Sequence, residues 1–126
     1  MENGNAEFKN ELRKRLYAWV LRLIKFVGTL PKDLISGVII KQLLRSGTSV
    51  LANFAEANSA SSKKDFINFF THALKSANES EMWLALLRDT RKGDAVELEC
   101  LLKELVEISN ILASSILTLK GKRRQK

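Results

Sequence analysis

The chain has 126 residues, 45% of them hydrophobic, and a net charge of +7 at pH 7. That length suits one domain, 1–126, with one core, and the expected loose ends are about 1–6 and 120–126. Cys100 stands alone and His72 is the one histidine, so the sequence excludes an internal disulfide and any Cys/His metal spacing; no cofactor is expected.

Six Gly and one Pro are few punctuators for such a chain, which favours long helices with short connections. The first helix is expected over Phe8 to Leu30, because Leu12, Leu16, Trp19, Leu23, Phe26 and Leu30 recur at alternating spacings of four and three. Val20, Ile24 and Val27 widen this stripe. Gly28 is expected as a left-handed cap, and Leu30 is pushed out of helical geometry by Pro31.

A second helix is expected from about Asp33 to Asn58. Ile39, Ile40, Leu43, Leu44, Val50, Leu51 and Phe54 fill an arc of roughly 140°, wider than one neighbour can cover. Small residues along it, among them Ser46, Gly47 and Ala57, permit close helix approach. Ser62 is expected to cap a third helix, with Asp65 favouring its positive end. Phe66, Phe70, Ala73, Ala77, Ser80, Leu84 and Leu87 form the inward face of that helix. Gly93 ends it, and Asp94 caps a fourth carrying Leu98, Leu101, Leu105, Ile108 and Leu112 and closing near Gly121. The fold class is all-α, an antiparallel up-down-up-down four-helix bundle. Because the first two helices have more apolar circumference than a lone bundle needs, a homo-oligomer is expected.

No segment reaches the roughly 18 apolar residues of a membrane span, and the polar start lacks an export signal. The expected location is cytoplasmic, without membrane contact. Charge is uneven along the chain. Basic residues crowd the first helix and the last residues, while Asp94, Glu97, Glu99, Glu104 and Glu107 lie on the fourth helix, predicting a basic side and an acidic side. Arg13, Lys14, Arg15, Arg22, Lys25, Lys63 and Lys64 are the candidate phosphate contacts. No aromatic stacking platform accompanies them in the sequence, so any nucleic-acid binding is expected to be driven by charge.

Gln42, Arg45, Ser49, Asn53 and Glu56 gather within an arc of about 80° on the second helix, a polar stripe expected to fix register against a neighbouring helix or subunit. His72, Glu79 and Glu81 supply no complete catalytic or metal set, Cys100 reads as a buried small side chain, and no enzyme activity is expected.

Leu30-Pro31, Gly37, Gln42-Leu43-Leu44-Arg45, Ser49-Val50, Asn53-Phe54-Ala55-Glu56, Ser62-Lys63-Lys64-Asp65-Phe66, Phe69, Ala73, Ser76, Glu79 and Glu81 together form an ordered pattern. It resembles that of the bacterial four-helix-bundle proteins encoded in intervening sequences of 23S ribosomal RNA genes, which are in turn similar to accessory variability proteins of diversity-generating retroelements. The resemblance implies a barrel-like homopentamer. For the retroelement relatives it also implies a basic surface that binds nucleic acid and a reverse-transcriptase partner. The rival reading is a protein-interaction scaffold with no nucleic-acid role.

Overall fold

The computed structural model of the protein describes residues 2–121, with side chains from Ala6 onward; of the expected loose ends, about 1–6 and 120–126, residues 1 and 122–126 lie outside that description, whereas 2–6 belong to the first helix. The described residues form four helices and no strand: α1 (Glu2–Val27), α2 (Leu34–Asn58), α3 (Lys63–Asp89) and α4 (Ala95–Leu119).

Each start has a local cause. Asp33 accepts from the Ser36 amide at the head of α2 (2.9 Å), Ser62 from the Asp65 amide at the head of α3 (3.1 Å), and Asp94 from the Val96 amide at the head of α4 (2.9 Å). The ends differ from expectation at two corners: α3 stops at Asp89, ahead of Gly93, and Arg91 is left-handed there, φ +57°. α1 stops at Val27 rather than Leu30, and Gly28 is not left-handed; the chain tightens there, with the Thr29 and Leu30 amides donating three residues back to Phe26 and Val27. Gly93 does take the left-handed conformation, φ +84°, and a Cβ there would lie 2.5 Å from Leu30 Cδ2. The α3–α4 corner therefore rests directly on the α1–α2 corner. Lys92 Nζ reaches Asp33 Oδ2 across them at 3.5 Å.

The core contains the residues that the periodicity selects. Leu12, Leu16, Trp19, Leu23 and Phe26 of α1 are buried with Leu43, Val50 and Phe54 of α2, Phe70, Ala77 and Leu84 of α3, and Leu101, Leu105 and Ile108 of α4. Helices are neighbours in a cycle, with α1 beside α2 and α4, and α3 beside α2 and α4. Trp19 Nε1 donates to the Leu101 carbonyl at 3.0 Å, which satisfies the indole that its burial would otherwise strand. Gly47 lets α2 close on α1: a Cβ there would lie 2.6 Å from Leu23 Cδ2. Between α2 and α3, the buried hydroxyls of Ser46 and Ser80 meet at 2.7 Å. No described buried side-chain polar atom lacks a partner.

The wide apolar arcs are only partly used. Ile40, Leu44 and Leu51 are half-buried, and Tyr17, Leu21 and Ile24 on α1 are exposed, as are Leu34, Ile35 and Val38 at the start of α2. Cys100, expected in the core, is exposed: it follows Glu99 on the outward side of α4 while Leu98 and Leu101 turn inward. No helix among the described residues is long and apolar enough to cross a membrane.

Candidate nucleic-acid interface

The candidate phosphate contacts divide into two groups. Arg15 and Arg22 lie on the flank of α1 that faces α4 and are occupied by its carboxylates. Arg15 donates from Nε and Nη2 to the two oxygens of Glu104, each at 2.9 Å, and from Nη2 to Glu107 at 2.8 Å. About two turns nearer the start of α4, Arg22 forms the same fork with Glu97, at 2.5 and 3.0 Å. Hydrogen bonds to Glu104 raise the Arg15 pKa against the opposing effect of burial, and those to Glu97 raise that of Arg22. The predicted division into a basic and an acidic side holds only in part: Arg15 and Arg22 face Glu104, Glu107 and Glu97 along the α1–α4 seam and are neutralised there. Sequence position recorded the charges but not which helix would lie alongside.

The other five form no such fork, although Lys25 shares a small cleft with Asp94 and Glu97 at the same seam. Arg13, Lys14, Lys25, Lys63 and Lys64 are exposed and, among the described residues, make no ion pair. Two further lysines join Lys63 and Lys64. Near the start of α1, Lys9 is half-buried, its Nζ 5.0 Å above the centroid of the Phe66 ring. Lys120 follows α4. The first turns of α1 and α3 and the last of α4 share one end of the molecule, where two adjoining clefts have Lys63 and Leu119 in common. Lys9 lines one of them, and Lys64 and Lys120 line the other. Reading the sequence missed this convergence, because Lys9, Lys63 and Lys120 are far apart along the chain and only the packing brings them together.

The polar stripe of α2 lies along α3. Arg45 pairs with Glu79 of α3, and its Nε donates to Gln42 at 3.1 Å. Glu79 also accepts from Trp83 Nε1 at 2.9 Å. Ser49 donates to the Arg45 carbonyl, and Asn53 to the Ser49 carbonyl, so these two satisfy themselves on their own helix; Glu56 is exposed. Of the stripe, Arg45 alone joins α2 to α3, through Glu79. His72 is exposed, Glu79 is held by Arg45 and Trp83, and Glu81 accepts from Ser109 of α4 at 2.6 Å. Among the described residues no group of acidic, His or Cys side chains could hold a metal ion.

The family profile described as 23S rRNA-intervening sequence protein matches residues 9–114, nearly the whole described chain. The chain belongs to that family. Within the same lineage of folds, it is similar to a crystal structure, at 1.70 Å, of a protein of unknown function from the S23 ribosomal protein family of Bacteroides thetaiotaomicron. The two share 37% sequence identity over 86% of this chain and 96% of the other, with a TM-score of 0.79. No curated protein matches. The match takes in α2 and α3 whole, α1 from Lys9 and α4 as far as Ser114, together with the Ser62–Phe66 corner.

Proposed function

We propose that this member of the 23S rRNA-intervening sequence family is a non-enzymatic, oligomeric accessory protein that binds the phosphate backbone of nucleic acid. The observation that carries the reading is the lysine-rich end, where Lys9, Lys63, Lys64 and Lys120 surround two adjoining clefts. Arg13, Lys14 and Lys25 extend the cationic surface along α1. Arg15 and Arg22 contribute less, since paired cations release few counterions when a polyanion docks.

The protomer in this reading is one domain, an antiparallel up-down-up-down bundle. The pairings support that arrangement: Arg15 meets Glu104 while Arg22 meets Glu97, and Ser46 meets Ser80 while Phe54 packs against Phe70. Sequence number falls along one helix as it rises along its neighbour. Copies assemble, as a homopentameric ring by the resemblance to retroelement accessory proteins, through the exposed Tyr17, Leu21 and Ile24 and the half-buried Ile40, Leu44 and Leu51. Such a ring displays several basic ends together in the cytoplasm, where a reverse transcriptase is the partner type that the same resemblance suggests.

Fluorescence anisotropy of a labelled RNA tests the central claim. Affinity is expected to fall steeply with salt, with a logarithmic slope of about −0.7 for each phosphate contact on a single strand. Replacing Lys63 and Lys64 together with Gln should flatten that slope by roughly 1–2. A flat salt response in the native protein, or no RNA and DNA binding at low salt, overturns the reading.

The rival, a protein-interaction scaffold, draws its support from Leu34, Ile35 and Val38, exposed at 84%, 62% and 57% at the head of α2. A scaffold keeps its partner in nuclease-treated lysate, whereas a nucleic-acid adaptor loses partners held through RNA or DNA.

A further inference from the structure

The lysine-rich end also contains what the sequence did not reveal, an aromatic cleft. It encloses about 450 Å³, a volume in the range of small-ligand sites, between the start of α1, the α2–α3 corner and the last turns of α4. Phe66 forms part of its wall, stacked on the buried Phe70 with centroids 4.6 Å apart; Phe70 in turn lies 5.8 Å from Phe54. The ring facing the cleft is therefore anchored through two others to the core. Phe8 lines the cleft as well and is 43% exposed.

The polar groups of this cleft are of two kinds. Lys9 and Lys63 supply cations, and Ser115 and Thr118 are among the hydroxyl-bearing residues of α4 that line it. The adjoining cleft, about 560 Å³, begins at the shared Lys63 and adds Lys64, Asn68, Thr71 and Lys120. An aromatic cleft lined by two lysines, with a second lysine-bearing cleft sharing Lys63 beside it, matches one chemical pattern. That pattern is a planar aromatic group with negative charge on its flanking linkages. A basic segment such as residues 122–126, Lys-Arg-Arg-Gln-Lys, is like-charged with these lysines and has no planar apolar group to offer the cleft.

We infer that the Phe8–Phe66 cleft receives one unpaired base of single-stranded RNA, with the adjacent phosphates held by Lys9, Lys63 and Lys64. This rests on the nucleic-acid reading above and adds to it a stacking site and a preference for single strands. Base–aromatic stacking is tolerant of sequence because every base has a π-face; with Phe70 stacked on one side of Phe66, a base takes the place of the Lys9 ammonium over the other, and the flexible Lys9 side chain swings out to the adjacent phosphate. Hydroxyls of Ser115 and Thr118 are suited to the ribose 2′-OH, the group that separates RNA from DNA.

The test compares a labelled oligouridylate with the same ribose-phosphate chain lacking bases, by anisotropy at low salt on the full-length protein. The native protein is expected to bind the oligouridylate about ten-fold more tightly than the base-free chain, the effect of one stacked base. Phe8→Ala should close that gap by weakening the oligouridylate alone, and Lys64→Gln should weaken both ligands to the same extent. Equal binding of the two ligands by the native protein overturns the cleft inference and leaves charge-driven binding intact, and this comparison needs no variant to fold. A gap that survives Phe8→Ala, in protein whose circular dichroism matches the native form, also overturns it. Binding of neither ligand by the native protein overturns the nucleic-acid reading itself.

Discussion

Gly37 and Gly47 belong to the same helix and meet opposite surroundings. A Cβ on Gly37 would find nothing within 4 Å, whereas one on Gly47 would lie 2.6 Å from Leu23 Cδ2 and 3.3 Å from the Trp19 ring, which is itself tied to Leu101. Gly37→Ala is therefore expected to stabilise the protein by about 0.5–1 kcal/mol, the helix-propensity difference. Gly47→Val should destabilise it by about 1–3 kcal/mol through overpacking. Urea titrations of the two variants measure both signs, and a stabilising Gly47→Val would contradict the close α1–α2 approach. At the head of α2, the Ser36 amide donates to the Asp33 carboxylate and lowers its pKa below the ordinary 3.8, with its hydroxyl and Lys92 acting in the same direction. A carboxyl whose folded pKa is lowered stabilises the protein above its unfolded pKa, and that contribution is lost as pH falls through the folded value. The stability gap between native protein and Asp33→Ala should thus be constant near neutrality and narrow below about pH 4. A gap that is unchanged on acidification would mean the carboxylate charge plays no part in the cap.

Between elements, the α2–α3 seam combines an internal and an external polar contact. Ser46 and Ser80 join at 2.7 Å in the core, and Arg45 joins Glu79 at the surface. The buried pair has the larger consequence for register, because a slip of either helix would strand two hydroxyls away from water. Replacing Ser46 or Ser80 with Ala should cost about 1 kcal/mol each. Since a carbonyl of its own helix lies within reach of each hydroxyl, Leu43 at 3.3 Å from Ser46 and Ser76 at 2.9 Å from Ser80, a hydroxyl that loses its partner can donate there, and the double variant should cost less than the sum. A double-mutant cycle in urea reports the difference, and strict additivity would remove the pair as a coupling element. The sequence showed Ser46 and Ser80 as small residues at inward positions. It did not show that they meet, because helix periodicity fixes the face of a residue and says nothing of its height against the neighbouring helix.

For the whole molecule, the exposed apolar side chains decide what happens between copies. Leu21 and Ile24 are 48% and 49% exposed on one flank of α1, a solvated face that isolated bundles rarely leave apolar. Sedimentation of the native protein at tens of micromolar is expected to show a multiple of the 14.2 kDa protomer, and Ile24→Glu should weaken association by roughly ten-fold or more. A native monomer under those conditions would remove the assembly. The same scale explains why the candidate site was only half legible. Lys63 and Lys64 could be named from the sequence, but Arg15 and Arg22, chosen on equal grounds, are consumed by Glu104, Glu107 and Glu97. Lys9, Lys120 and the Phe8–Phe66 cleft came into view only when the helix ends were brought together.

The sequence by itself determined the four helices, their caps at Ser62 and Asp94, and nearly every core position, because those depend on local hydrogen bonding and on a period of about 3.6 residues. The tertiary structure alone decided which charges cancel, that Cys100 faces outward, and where lysines and phenyl rings converge. Those outcomes depend on which helix lies beside which, and at what height, information that no periodic pattern within one helix contains.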